Sequence, residues 1–229
     1  MKSKALTAVI TASFACLSGT ALANVYYPLN NISVYGNVGG ISNNGGNTSG
    51  GVGVKASAYS ENWLFSVNWH HDFSSLFSIP QQTGGGANFV NAKAGYLVPF
   101  SNNFAIGPYA TYQYTRFSVN GPAGAGNFHL TNNAIGGGVM GAFSSGPLSV
   151  VGHFGYLGGV SATYSFTNDG YRYATTSTSG SDNVLNLGLQ ANYAISGPWF
   201  LFTGFDWDRY SNHGSVNLLQ GNFGLGYSF

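Results

Sequence analysis

The sequence predicts an all-β fold, a closed antiparallel transmembrane β-barrel, and three observations predict it. Charged residues fill only 6% of the 229 positions, where soluble proteins carry about a quarter. Glycine is abundant at 35 residues and aromatics reach 16%, yet mean hydropathy is only +0.04. Apolar residues recur with period two rather than in the runs of about 20 that a membrane helix needs. Period two sends alternate side chains to opposite faces of a strand. One face can then meet lipid while the other lines a polar lumen.

The N-terminal segment reads as an export signal. Lys2 and Lys4 precede an apolar stretch from Ala5 to Leu17, and Ala21-Leu22-Ala23 has the small residues of a cleavage site. The expected organisation is a signal peptide at 1–23, cleaved after Ala23, and one barrel domain at 24–229. The apolar stretch is too short for a membrane anchor. Cys16, the single cysteine, lies inside this signal, and Ser13 stands where a lipoprotein signal carries Leu. Without Lys2 and Lys4, five basic residues face six acidic ones. That balance offers no basic patch for nucleic acid.

Ten segments alternate. The first, 31–40, sets Ile32, Val34 and Val38 against Ser33, Tyr35 and Asn37. The second, 51–60, sets Val52 and Val54 against Gly53, Lys55 and Ser57. The third, 62–72, sets Trp63, Phe65, Val67 and Trp69 against Ser66, Asn68 and His70. The fourth, 88–98, sets Val90, Ala92 and Tyr96 against Asn91, Lys93 and Gly95. The fifth, 103–117, sets Ile106, Tyr112 and Tyr114 against Thr111, Gln113 and Thr115. The sixth, 133–143, is rich in glycine with Ile135, Val139 and Phe143 outward. The seventh, 147–161, sets Val150, Phe154 and Tyr156 against Ser149, His153 and Gly155. The eighth, 183–195, sets Leu185, Leu187 and Leu189 against Asn186, Gly188 and Gln190. The ninth, 198–210, sets Trp199, Leu201, Phe205 and Trp207 against Gly204, Asp206 and Asp208. The tenth, 217–229, ends the sequence.

The connections alternate in length. Short turns are expected at 60–62, 99–102, 144–147 and 196–198, with longer Gly/Ser/Asn/Thr segments near 41–50, 74–87, 118–132, 162–182 and 211–216. Short periplasmic turns and long extracellular loops are the habit of outer-membrane barrels, so both termini are expected on the periplasmic side. Ten strands are expected; eight follow if two segments do not span. In lipid every backbone N–H and C=O needs an internal partner, which only a closed sheet supplies. Trp63, Tyr96, Phe104, Tyr193, Trp199 and Tyr227 would form the girdle at the turn end. Trp69, Tyr114, Tyr156 and Trp207 would form the other.

The last eight residues, Asn222 to Phe229, resemble the C-terminal signal of bacterial outer-membrane proteins. Asn222, Gly224, Tyr227 and Phe229 match its polar, glycine and aromatic places. The resemblance implies insertion by the barrel assembly machinery. In pattern the whole mature chain is similar to the small-barrel group of the OmpA transmembrane domain, OmpX, OmpW and the opacity proteins. Outer-membrane lipid and lipopolysaccharide are then the expected surroundings.

Lys55, Lys93, His153, Asp206 and Asp208 face the expected lumen, where buried charges need partners. Two readings stand: a Lys–Asp network that fills the lumen and fixes register, or a polar gate to a narrow path for ions or small solutes. No catalytic residue, metal site or cofactor is expected. His70 and His71 point to opposite faces and cannot readily share an ion. The sequence from Asp208 to His213 gathers Asp, Ser and His, but a triad is defined by geometry and not by proximity in sequence. The glycine run at 136–138 lacks the following helix of a phosphate loop. Tyr171, Arg172 and Tyr173 in the fourth long loop are candidate contacts for an extracellular ligand.

Overall fold

The computed structural model describes residues 29–42, 48–73, 84–120, 127–168, 171–177, 182–211 and 216–229. The signal peptide at 1–23 lies outside the described residues. The strands are β1 (Asn31–Ser42), β2 (Thr48–Ser60), β3 (Trp63–Asp72), β4 (Gly84–Tyr96), β5 (Val98–Ser101) and β6 (Phe104–Asn120). They continue as β7 (Asn127–Ser145), β8 (Leu148–Asn168), β9 (Tyr171–Ser177), β10 (Asn183–Ser196), β11 (Trp199–Ser211) and β12 (Val216–Ser228).

Each strand pairs antiparallel with its sequence neighbour, apart from the two interruptions at β5 and β9. The sheet closes where β12 meets β1, from Asn31↔Ser228 to Ser42↔Asn217. β10 meets β8 directly, from Leu157↔Val184 to Leu148↔Tyr193. β4 and β5 are one stave broken at Leu97, whose wholly buried side chain turns into the lumen while its amide reaches the carbonyl of Asn62 at 2.7 Å. The result is a closed barrel of ten staves with one extra strand, β9, which settles the strand number at ten rather than eight.

Alternation decides which side is out. Ile32, Val34, Val52, Phe65, Trp69, Ile135, Phe154, Leu189, Phe205, Phe223 and Leu225 are among the large apolar residues exposed around the whole circumference. A soluble barrel would not leave such a belt in water; a bilayer requires it. At the turn end Trp63 packs edge-on against Tyr96, and Trp199 against Tyr227, each at 5.2 Å between ring centroids.

The turns follow from their residues. Glu61 and Asn62 both hold positive φ, at 49° and 72°, in the two-residue reversal between β2 and β3, the primed geometry that matches strand twist. Ser-Gly-Pro occurs twice, before Leu148 and before Trp199. Gly146 and Gly197 take φ of 55° and 54° ahead of a proline, as a type II′ reversal demands. The carbonyls of Pro147 and Pro198 then accept from the amides of Ala194 and Ser228 on neighbouring staves, both at 2.8 Å.

Two expected loops are largely strand. β8 runs on to Asn168 and β9 pairs back on it from Ala162↔Ser177 to Asn168↔Tyr171. β6 and β7 pair out to Asn120↔Asn127. The segment 162–182 is rich in Thr and Tyr, which favour strands, and holds the dipeptide Asp169-Gly170, whereas 118–132 offers only Val119, Phe128 and Thr131 of that kind. Here β-forming side chains outweigh polarity, and a ribbon built on β6, β7, β8 and β9 extends past the other staves. The break at Leu97 likewise moves the end of the fourth stave from the expected 98 to two pieces, 84–96 and 98–101.

Candidate functional site in the barrel lumen

The inward positions of the ten staves stack in layers. Nearest the turns lie Leu29, Leu64, Leu97, Ala105, Tyr109, Met140 and Ala142, with Tyr59 and Val151 packed on them. Tyr35, Phe200 and Phe202 fill the adjoining side. Toward the loops a second apolar group contains Ala87, Phe89, Phe117, Ala134, Leu157, Val184, Tyr210 and Leu218. Between the two sits a polar layer that holds Lys55, Lys93, His153 and Asp206, with Asp208 at its upper edge, level with Leu218.

Within that layer Lys55 on β2 reaches across to the Oε1 atom of Gln190 on β10, at 2.6 Å. Lys93 on β4 donates to Nε2 of His153 on β8, also at 2.6 Å, because an ammonium has no acceptor lone pair. That same nitrogen lies 3.9 Å from the carboxylate of Asp206 on β11. Asp206 accepts in addition from the Asn222 amide at 3.0 Å. One layer higher, Asp208 accepts from the Gln113 amide at 3.0 Å and from the Asn186 amide. Gln113 also donates to the Tyr210 hydroxyl at 3.0 Å.

The expected Lys–Asp pairs are therefore replaced. Amides hold the carboxylates, and the lysines take Gln190 and His153. Gln190 reaches Lys55 from the opposite wall, and the amides of Asn222, Asn186 and Gln113 reach the two carboxylates. Gly188 on β10 is what lets His153 and Asp206 meet. A Cβ there would lie 2.1 Å from the imidazole Cε1 and 2.5 Å from Oδ1 of Asp206.

Asp72, given no role by the sequence, is wholly buried. It accepts from the Asn37 amide at 2.5 Å and the Ser49 hydroxyl at 3.2 Å. His70 is buried too, stacked on Phe89 at 4.3 Å between centroids and bonded to the Gln220 amide at 2.9 Å. His71 points outward to Oδ1 of Asn88 at 3.1 Å. The two histidines do not share a site, and among the described residues no three His, Cys, Asp or Glu side chains are placed to hold a metal. A cavity of about 110 Å³ in this lumen is lined by Lys55, Lys93, His153, Asp206 and their amide neighbours.

The other candidates are dispersed. Asn222 is the amide that holds Asp206. Gly224 lies where a Cβ would meet Tyr35 and the ring of Phe202 within 2.7 Å, so this place in the terminal motif also makes room for lumen packing. Tyr227 and Phe229 face outward, Tyr227 in the turn-end girdle. Tyr171, Arg172 and Tyr173 belong to the extra strand β9 rather than to a loop, and their side chains lie outside the described residues. Of the residues from Asp208 to His213, Asp208 and Tyr210 turn inward and Arg209 outward, and Asn212 and His213 lie outside the described residues.

The apolar plugs were not read from the sequence, yet parity contains them. Phe200 and Phe202 share their face with Asp206, and Phe89 shares its face with Lys93.

No family model matches the sequence, and no curated protein matches it. Solved structures do. The outer-membrane protease OmpT of Escherichia coli superposes with a TM-score of 0.57 at 13% identity, over 91% of this chain and all of that one. This chain has the fold of a bacterial outer-membrane β-barrel. The translocator domain of the autotransporter NalP from Neisseria meningitidis gives 0.47 at 13% identity, over 100% of this chain and 96% of that one. Ail, the attachment invasion locus protein of Yersinia pestis, gives 0.45 at 12%, over 87% and 97%. At these identities the likeness concerns the fold.

Proposed function

We propose that this barrel is an integral outer-membrane protein with a closed lumen, its turns toward the periplasm, acting through the surface at its loop end. The filled interior is the observation that carries this reading. Apolar layers close on the polar layer from both sides, and the polar groups between them are tied across the barrel by Lys55–Gln190, Lys93–His153, Gln113–Asp208 and His70–Gln220. About ten staves enclose little free space once side chains fill them. Among the described residues the ribbon of β6 to β9 projects beyond the belt, and projecting segments are where such scaffolds carry recognition.

The reading assigns no catalysis. His153 and Asp206 lie beneath the loop-end apolar layer, while His70, Asp72 and Asp208 are level with its members Phe89, Ala87 and Leu218. A second reading, a narrow path for ions, draws on the polar layer and its cavity. Liposome swelling separates the two. Vesicles holding the folded protein are expected to swell in small sugars no faster than empty vesicles, and swelling that scales with protein content would favour the path.

A further inference from the structure

On its outer wall the barrel carries a polar row that lumen packing does not explain. His71, Asn88, Arg116, Thr131 and Thr163 lie side by side on β3, β4, β6, β7 and β8, joined in register as His71↔Asn88, Asn88↔Arg116, Arg116↔Thr131 and Thr131↔Thr163. Strands are about 4.8 Å apart, so the row is about 19 Å long. Their inward neighbours Asp72, Phe89, Phe117 and Asn132 are buried, which sets the row outward. One outward position closer to the turns, β3, β4 and β6 present Trp69, Val90 and Tyr114, and β7 and β8 present Asn133 and Ser161. One position farther, Ser118 and His129 are bonded at 2.9 Å.

The row thus sits on the upper rim of the lipid belt, at headgroup level rather than in free solvent. Arg116 is exposed, and among the described residues no carboxylate engages it. The chain's cations are also unevenly placed. Lys55 and Lys93 are spent in the lumen, and the remaining three past the signal, Arg116, Arg172 and Arg209, all lie in the loop-ward parts of β6, β9 and β11. The turn end instead carries Glu61.

We infer that this row binds the phosphorylated saccharide headgroup of a glycolipid in the surrounding leaflet. A guanidinium offers a planar fork that matches phosphate in two hydrogen bonds. The flanking amide and hydroxyls of Asn88, Thr131 and Thr163 suit sugar hydroxyls, and Trp69 and Tyr114 meet the acyl chains below. The inference rests on the outward orientation of the loop end proposed above.

The test is binding of lipid A to the full-length folded protein in detergent, read by native mass spectrometry. Dephosphorylated lipid A and phosphatidylglycerol serve as the other probes. Heat-modifiable migration confirms that each variant is folded. Arg116→Gln is expected to weaken lipid A binding about tenfold, and Arg209→Gln, on another wall, to leave it unchanged. Thr131→Val gives a second reading should Arg116→Gln not fold, and it too is expected to bind more weakly. Unaltered binding by the folded variants, or wild-type binding that ignores loss of the phosphates or accepts phosphatidylglycerol equally, overturns the site. Detergent binding does not depend on membrane orientation or on lumen closure, so failure here leaves the closed-lumen reading standing. Surface labelling of whole cells tests the orientation separately.

Discussion

Gly188 shows how single positions hold this lumen together. It leaves room for His153 and Asp206 to approach, and any side chain there would overlap both. Gly188→Val is expected to cost about 1–3 kcal/mol through overpacking, measured as a lower urea midpoint for unfolding from lipid vesicles. Asp208 makes the complementary case. Its carboxylate accepts from Gln113 and Asn186, and Asp208→Leu would take that acceptor from both amides, leaving Gln113 its contact with Tyr210. Hydrogen bonds to a charged group are worth about 1.5–3 kcal/mol, so a loss of about 2 kcal/mol is expected in the same unfolding assay, with barrel migration retained. A loss no larger than that of an outward Val→Ala control would show that the amide contacts are not tying the walls. The five charged lumen residues could be read from parity alone, because a strand has just two faces. Their partners could not. Which Gln or Asn meets which charge depends on the stagger between non-neighbouring staves, and that stagger is set by barrel closure, which no local pattern encodes.

At the level of elements, the ten staves were legible because lipid on one side and a filled lumen on the other impose a strict alternation. The clearest segment, 183–195, matches β10 within one residue. The protruding ribbon was hidden by composition. Thr, Ser and Asn made 162–182 look like loop, although Thr163, Tyr164, Phe166, Tyr171 and Tyr173 are strand formers. The break at Leu97 was hidden too, since nothing in the alternation of the fourth segment, 88–98, marks it. Phe200 on β11 closes one side of the lumen and is wholly buried against Gly226 and Phe202. Phe200→Ala should destabilise the barrel by about 3–5 kcal/mol. Removing residues 165–180, by contrast, takes away no described residue of the apolar lumen layers. Folding and heat-modifiable migration are expected to survive that deletion while binding to host or polysaccharide surfaces falls. Surface binding that persists undiminished would remove the ribbon from the functional picture.

For the molecule as a whole, a barrel this narrow has two uses for its interior: a passage or a core. Phe89, Phe117, Leu157 and Leu218 toward the loops and Leu64, Leu97 and Met140 toward the turns make it a core with a polar centre. The fold was predictable from composition and period because a bilayer tolerates few alternatives. The proposed function was not, because recognition by an outer surface would leave no fixed motif in one sequence. Single-channel recording in planar bilayers tests the closed lumen most directly. Wild-type protein, shown to be folded by heat-modifiable migration, is expected to give no conductance steps, whereas a variant with Phe89, Phe117 and Leu157 all replaced by Ala is expected to give small ones. Steady steps from the wild-type barrel, of unchanged size in that variant, would contradict a plugged core and make the polar layer a path.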